Sequence, residues 1–175
     1  IGLDFTNDKN FKALEILTKS DKVLFAGIIN GRNVWRANLD DKLKIIKKIK
    51  ENLSDDRIFI GTSCSLLHVP FTLKYEDKLN SEIKSWLSFA VEKLDEVRIL
   101  SKLASNLELN QNDQKIYNES LEAAKNRKIS KLINDDEVNL RVKSLTKFRR
   151  DGDFKDRISL QDKRLNLKSL PTTTI

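Results

Sequence analysis

The sequence is poor in residues that cross-link or punctuate a chain: one cysteine, two prolines, five glycines and no methionine in 175 residues. The single Cys64 excludes an internal disulfide and any multi-cysteine zinc cage within the chain. It points to a reducing compartment, so the cytoplasm is the expected location. So little glycine and proline rules out a collagenous chain, and the apolar content rules out a disordered one. No apolar run approaches the roughly 18 residues that a membrane span needs. A basic-then-apolar leader is missing, and the first residue is Ile1 rather than Met. Phosphate loop, dinucleotide fingerprint and nucleophile elbow are all absent. So is any ladder of aromatic and basic residues on which bases could stack.

What is present is enough apolar sequence for a core, 39%, under a surface rich in charge, 34%. The length suits one domain, or one with an appendage. Lys and Arg number 33 against 26 Asp and Glu, giving +7 and a pI near 9.4. Such a balance attracts polyanions. The charges are mixed, however: Asp40, Asp41, Glu51, Asp55 and Asp56 bracket the lysines of 42–50. A solvated, lysine-rich surface is expected, with no nucleic acid and no membrane as partners.

The first half alternates short apolar runs with helical spacing, the signature of βα units around a parallel sheet. Ile1 to Phe5 reads as a strand, and Thr6, Asn7 and Asp8 offer N-cap oxygens to a helix with Phe11, Leu14 and Leu17 on one face. Lys22 to Ile29 is a near-continuous apolar run, as for a strand buried on both faces. Asp40 can cap a helix that turns Leu43, Ile46, Ile49 and Leu53 inward, and Arg57 to Gly61 is the third strand. After a long loop, 62–79, the spacing predicts one helix from about Asn80 to Ser105. Its stripe Ile83–Trp86–Ala90–Leu94–Val97 should lie across the outside of the sheet. Leu24 and Phe59, or their neighbours, are expected on the inner face. Segments 111–128 and 136–148 look helical, and the tail from Asp151 is polar and basic. Pro171 breaks any helix there, and Thr172–Ile175 favours extended chain.

In a parallel sheet, function sits at the carboxyl ends of the strands. That singles out Asp4, the loop Asn30-Gly31-Arg32-Asn33, and Ser63-Cys64 with His68. Arg32 could bind a carboxylate or phosphate, or tie two loops together. Cys64 could be a nucleophile or a metal ligand, although lone cysteines are mostly packing residues. His68 could act as acid or base, or be a hydrogen-bonded loop residue.

These loops carry a resemblance. Ala26–Arg36 (AGIINGRNVWR) resembles the G-V-V-[DN]-G-R-N-[IV]-W-R segment of the cobalamin-independent methionine synthases. Ser63–Pro70 (SCSLLHVP) matches that family's S-C-S-L-L-H-V-P, and Leu79–Ala90 (LNSEIKSWLSFA) its next motif. Leu170–Ile175 (LPTTTI) matches the opening of its second half. The motifs keep the family's order and spacing, with looser similarity over 106–165.

The resemblance implies an α/β fold: the last three βα units of a (βα)8 TIM barrel over 1–105, a helical inter-barrel connector over 106–165, and the start of a second, catalytic barrel over 166–175. It implies part of a methyltransferase that moves a methyl group from 5-methyltetrahydropteroyltri-L-glutamate to L-homocysteine, forming methionine. Zinc, held by one His, two Cys and one Glu of the second barrel, would lie outside these residues. The implied partners are the remainder of the same polypeptide, the folate polyglutamate and homocysteine. No catalytic residue and no metal is expected in this stretch. Only Ile175, matching the first position of a segment that holds homocysteine, is implied as substrate-binding. The two barrels of the family look like a duplication, which sets Asp4 and Cys64 at zinc-ligand positions. Two ligands cannot close a tetrahedral site, so both are read as relics. No role is carried over to Arg32, Asn33 or His68 beyond shaping a loop face. The piece alone is expected to be inactive, and its cut sheet to need the rest of its barrel or to self-associate. The alternative is an independent basic α/β module that binds nucleic acid or other anions.

Overall fold

Three parallel strands in the order β1-β2-β3 form the centre of the protein: β1 (Gly2–Asp4), β2 (Leu24–Ile29) and β3 (Ile58–Thr62). The computed structural model describes residues 1–166 together with Lys168, Leu170 and Thr172. Ile175 and most of the expected extended ending therefore lie outside the described residues. Leu3 pairs in register with Ala26, and Ala26 with Ile60. The β1–β2 connection is a 3-10 turn, Asp8–Ala13, running into the short helix α1 (Leu14–Leu17). The Asn7 side chain opens it by accepting from Lys9 N at 3.0 Å.

Helix α2 (Leu39–Lys50) joins β2 to β3. Its cap is Asn38, not Asp40: the Asn38 Oδ1 accepts from the amides of Asp40 at 3.2 Å and Asp41 at 3.5 Å. Asp40 sits inside the first turn, where its carboxylate accepts from the Tyr117 hydroxyl. Burial and that contact push the Tyr117 phenol up to about 12. Two further 3-10 turns, Leu66–His68 and Leu73–Tyr75, fold the loop after β3.

The single helix expected over 80–105 is two: α3 (Ser81–Ser85) and α4 (Ala90–Ala104). The reason lies in the backbone between them. Arg36 N donates to Trp86 O and Ser88 N to Val34 O, both at 2.8 Å, and Trp35 and Leu87 form an antiparallel bridge. The Trp86 and Leu87 amides still bond back to Ile83 O and Lys84 O, but Trp86 O and Ser88 N are spent on the loop after β2 instead of on a continuing helix. The break also resets the helical phase beyond residue 89. Helix α4 buries Lys93, Glu96, Ile99 and Leu100, while Leu94, expected in the stripe, is 58% exposed.

Helix α5 (Gln111–Ile129) completes a first compact unit, residues 1–134. Its core joins Leu24, Ala26 and Ile28 of β2 to Ile46 and Ile49 of α2 and Ile99 and Leu100 of α4. Leu24 is therefore on the helix side, and its neighbour Phe25 takes the other face beside Phe59. The opposite face of the sheet carries Gly2, Gly27 and Gly61 with Phe25 and Phe59, whose rings stack at 5.2 Å. These two phenylalanines are 58% and 52% exposed, so β2 is not buried on both faces.

The second unit, residues 135–175, holds α6 (Asp136–Lys143) and α7 (Phe154–Leu165). The side chain of Asp135 caps α6, which ends short of the expected Phe148. Helix α7 falls where the residue pattern alone predicts a polar tail, within the 106–165 stretch that the resemblance makes helical; Asn166 ends it in the left-handed region, φ 49°. No helix among the described residues is long and apolar enough to cross a membrane.

Candidate functional site

The carboxyl ends of the three strands bring the singled-out loops together. Ser63 N donates to Ile29 O at 2.7 Å, and Gly31 N to Ser63 Oγ at 3.2 Å. Both approaches depend on glycine. A Cβ on Gly31 would sit 2.7 Å from Cys64 O and 3.1 Å from its Sγ, and one on Gly27 would sit 2.6 Å from Ser63 Cα. The N-G-R-N and S-C-S segments therefore form one contiguous loop pair with Cys64 against Gly31.

Other candidates are not drawn into it. The Asp4 Oδ1 accepts from both the amide and the hydroxyl of Thr6, at 2.8 and 2.5 Å, so that carboxylate holds the turn after β1. Asn33 Oδ1 accepts from Trp35 N at 3.1 Å, a local turn contact. Arg32 and His68 are exposed.

The rest of the loop, Val34–Ala37, is clamped by α4 through two buried charged side chains that sequence reasoning missed. Lys93 Nζ donates to Trp35 O at 3.1 Å, and Glu96 Oε1 accepts from Ala37 N at 3.0 Å. Lys93 is 1% and Glu96 2% exposed. Burial pushes the Glu96 carboxyl up and the Lys93 ammonium down, each partly opposed by the other's charge. Nothing in the periodicity distinguished these two residues from solvated ones; only the broken helix turns them inward. Glu92 secures the N-terminus of α4, accepting from Phe89 N at 3.2 Å and from Thr72 Oγ1 at 2.8 Å. Pro70 and Phe71 carbonyls accept from Ala90 N at 2.9 Å and Val91 N at 3.0 Å. The segments 26–36, 63–70 and 79–90 are thus mutually bonded parts of one loop face. Outside it, the Arg127 guanidinium covers the Trp35 ring at 3.9 Å.

A family model described as cobalamin-independent synthase, N-terminal domain, matches residues 1–54. The 5-methyltetrahydropteroyltriglutamate–homocysteine methyltransferase of Desulforamulus reducens is 42% identical over 183 aligned positions, covering 100% of this chain and 23% of the relative. The chain belongs to the cobalamin-independent methionine synthase family. The protein of the same name from Saccharophagus degradans is 38% identical, with coverage of 100% and 23%. That from Catharanthus roseus is 35% identical, covering 99% and 23%. The chain therefore spans 23% of the length of these curated relatives.

The zinc implied by the family resemblance does not fit the residues at hand. Among the described residues no three His, Cys, Asp or Glu side chains gather in a way that could hold a metal ion. Asp4 is committed to Thr6.

Proposed function

We propose that this chain is a scaffold segment of a methyltransferase that transfers a methyl group from 5-methyltetrahydropteroyltri-L-glutamate to L-homocysteine, forming methionine. The observation that carries the reading is the match along the whole chain, at 35 to 42% identity, to relatives bearing that name. The three parallel strands are the last three βα units of a (βα)8 barrel, and the remaining strands supply what the sheet lacks. Among the described residues, two sheet edges without partners and the exposed Phe25–Phe59 face support this. Zinc binds in the remainder of the polypeptide, which also contributes most of the homocysteine and folate contacts, in the cytoplasm. Within this stretch, Ile175 borders the homocysteine site, and the loop pair at Gly31 and Cys64 shapes the face that meets the second barrel. The stretch alone is inactive.

Complementation tests this. The complete reading frame that contains this chain should restore growth of a methionine-requiring strain lacking its own synthases, supplied with homocysteine. The 175-residue stretch alone should not. Growth with the stretch alone, or none with an expressed complete frame, would overturn the reading.

A further inference from the structure

We propose that α6 and α7 form a docking strap, with the apolar faces of both helices packed against the half of the polypeptide that follows residue 175. The inference rests on the reading of this chain as one segment of a longer methyltransferase. Val138 and Val142 stand one turn apart on one face of α6, with Leu145 just past its end. Phe154, Ile158 and Leu165 lie within about 40° of one another around α7. All six are exposed, Phe154 by 68% and Val142 by 55%. Every residue of the two helices except Arg157 is exposed, so neither helix has a core of its own. Helices of 8 and 12 residues gain little from their own hydrogen bonds in water; what holds such a helix is burial of its apolar face.

Reach and length identify the covering surface. The chain spans 23% of the length of its curated relatives, so most of such a polypeptide lies outside it. Leu165 ends α7 five residues before Leu170, where the segment that resembles the opening of the family's second half begins. Five residues span at most about 18 Å. That tether holds α7 beside the second half at a high effective concentration. The match to the family's N-terminal domain ends at residue 54, well before either helix, and residues 1–134 have a core of their own.

A competing account makes the two helices a solvated connector, held by the Asp135 cap and by acidic first and basic last turns. It explains the charges at the helix ends but not why the apolar residues share one face. Nor do charge pairs replace burial: among the described residues, the one ion pair within 135–175, Lys147 with Asp151, lies between the helices.

Hydrogen exchange of the complete polypeptide, followed by mass spectrometry, tests the docking. Peptides covering 136–143 and 154–165 should exchange at least about tenfold more slowly than unstructured chain. Ile158→Lys should erase that protection and speed exchange in a segment beyond residue 175. Leu160→Lys, on the other side of α7, should leave both within about twofold. Exchange in residues 1–134 is the control for folding and should not change. Unprotected helices in the wild type, equal effects of the two substitutions, or protection that depends on protein concentration, the mark of a second copy, would overturn the proposal. So would exchange that quickens within 1–134 instead, which would make the chain's own first unit the covering surface. Methionine formation by the same wild-type sample separates the two readings. Protected helices without turnover leave the docking standing and remove the methyltransferase assignment; turnover with unprotected helices does the reverse.

Discussion

Replacing Lys93 with methionine keeps most of the buried stem and deletes the ammonium. The change removes two things: Trp35 O loses its donor at 3.1 Å, and Glu96, 2% exposed, loses the nearest opposing charge. A charge-assisted hydrogen bond contributes about 1.5–3 kcal/mol, and the desolvation of the ammonium, relieved in the variant, offsets part of that. A net cost of about 2 kcal/mol is expected at pH 8. The cost should shrink toward pH 5. The folded-state pKa of Glu96 is raised by burial and rises further without Lys93. A raised folded pKa gives stability that is fully present below the unfolded value, near 4.5, and is lost as pH rises through the folded one. The variant thus carries more uncompensated carboxylate charge at pH 8 than at pH 5. Adding Glu96→Gln removes that charge, so the double variant should recover about 1 kcal/mol relative to additivity. Urea unfolding followed by tryptophan fluorescence measures all of this, since Trp35 and Trp86 both border the clamp. A Lys93→Met cost below about 0.5 kcal/mol at pH 8, no difference between pH 5 and 8, or strict additivity would refute the clamp.

Gly27→Ala should destabilise by about 1–3 kcal/mol, because the new Cβ meets the Ser63 main chain at 2.6 Å; Gly61→Ala, with nothing within 4 Å, should change the urea midpoint little. Asp113, held well below the usual carboxylate range by Lys102 and Arg98, contributes stability present above pH 3.8 and lost as pH falls through its depressed folded value. Asp113→Asn should flatten the acid limb of a melting-temperature profile, and an unchanged limb would discount the triad. Phe25→Ser with Phe59→Ser should reduce dye binding and self-association of the isolated chain in sedimentation velocity. Unchanged association would place the sticky surface elsewhere.

The parallel sheet was legible because its strands are short apolar runs separated by helical spacing, a pattern that survives without tertiary knowledge. Its facing was not. Leu24 and Phe25 are equally apolar, and the alternation that separates them depends on which face the helices cover. The unbroken pattern over 80–105 hid the break at 86–89, because its cause is Val34–Arg36, about fifty residues away in sequence. With the break went the identity of α4's buried face and the charges it carries. The residue pattern missed helix α7 because its apolar residues, Phe154, Ile158 and Leu165, are sparse among charges. The Asn38 cap was missed by two residues, since Asn38 and Asp40 both have suitable oxygens and only the start of the helical turn decides between them. The meeting of the N-G-R-N and S-C-S loops comes from topology; the sequence placed each at a strand's carboxyl end but not their mutual bonds. The commitment of Asp4 to Thr6 is a side-chain choice that spacing does not specify.

Methionine formation from homocysteine and 5-methyltetrahydropteroyltriglutamate, assayed with purified protein, tests the central proposal most directly. The product of the complete reading frame should form methionine, and the 175-residue stretch, folded and mixed with substrates at high concentration, should form none. Turnover by the stretch alone would contradict the scaffold role assigned to it. A well-folded complete product that forms no methionine would contradict the assignment to methyl transfer.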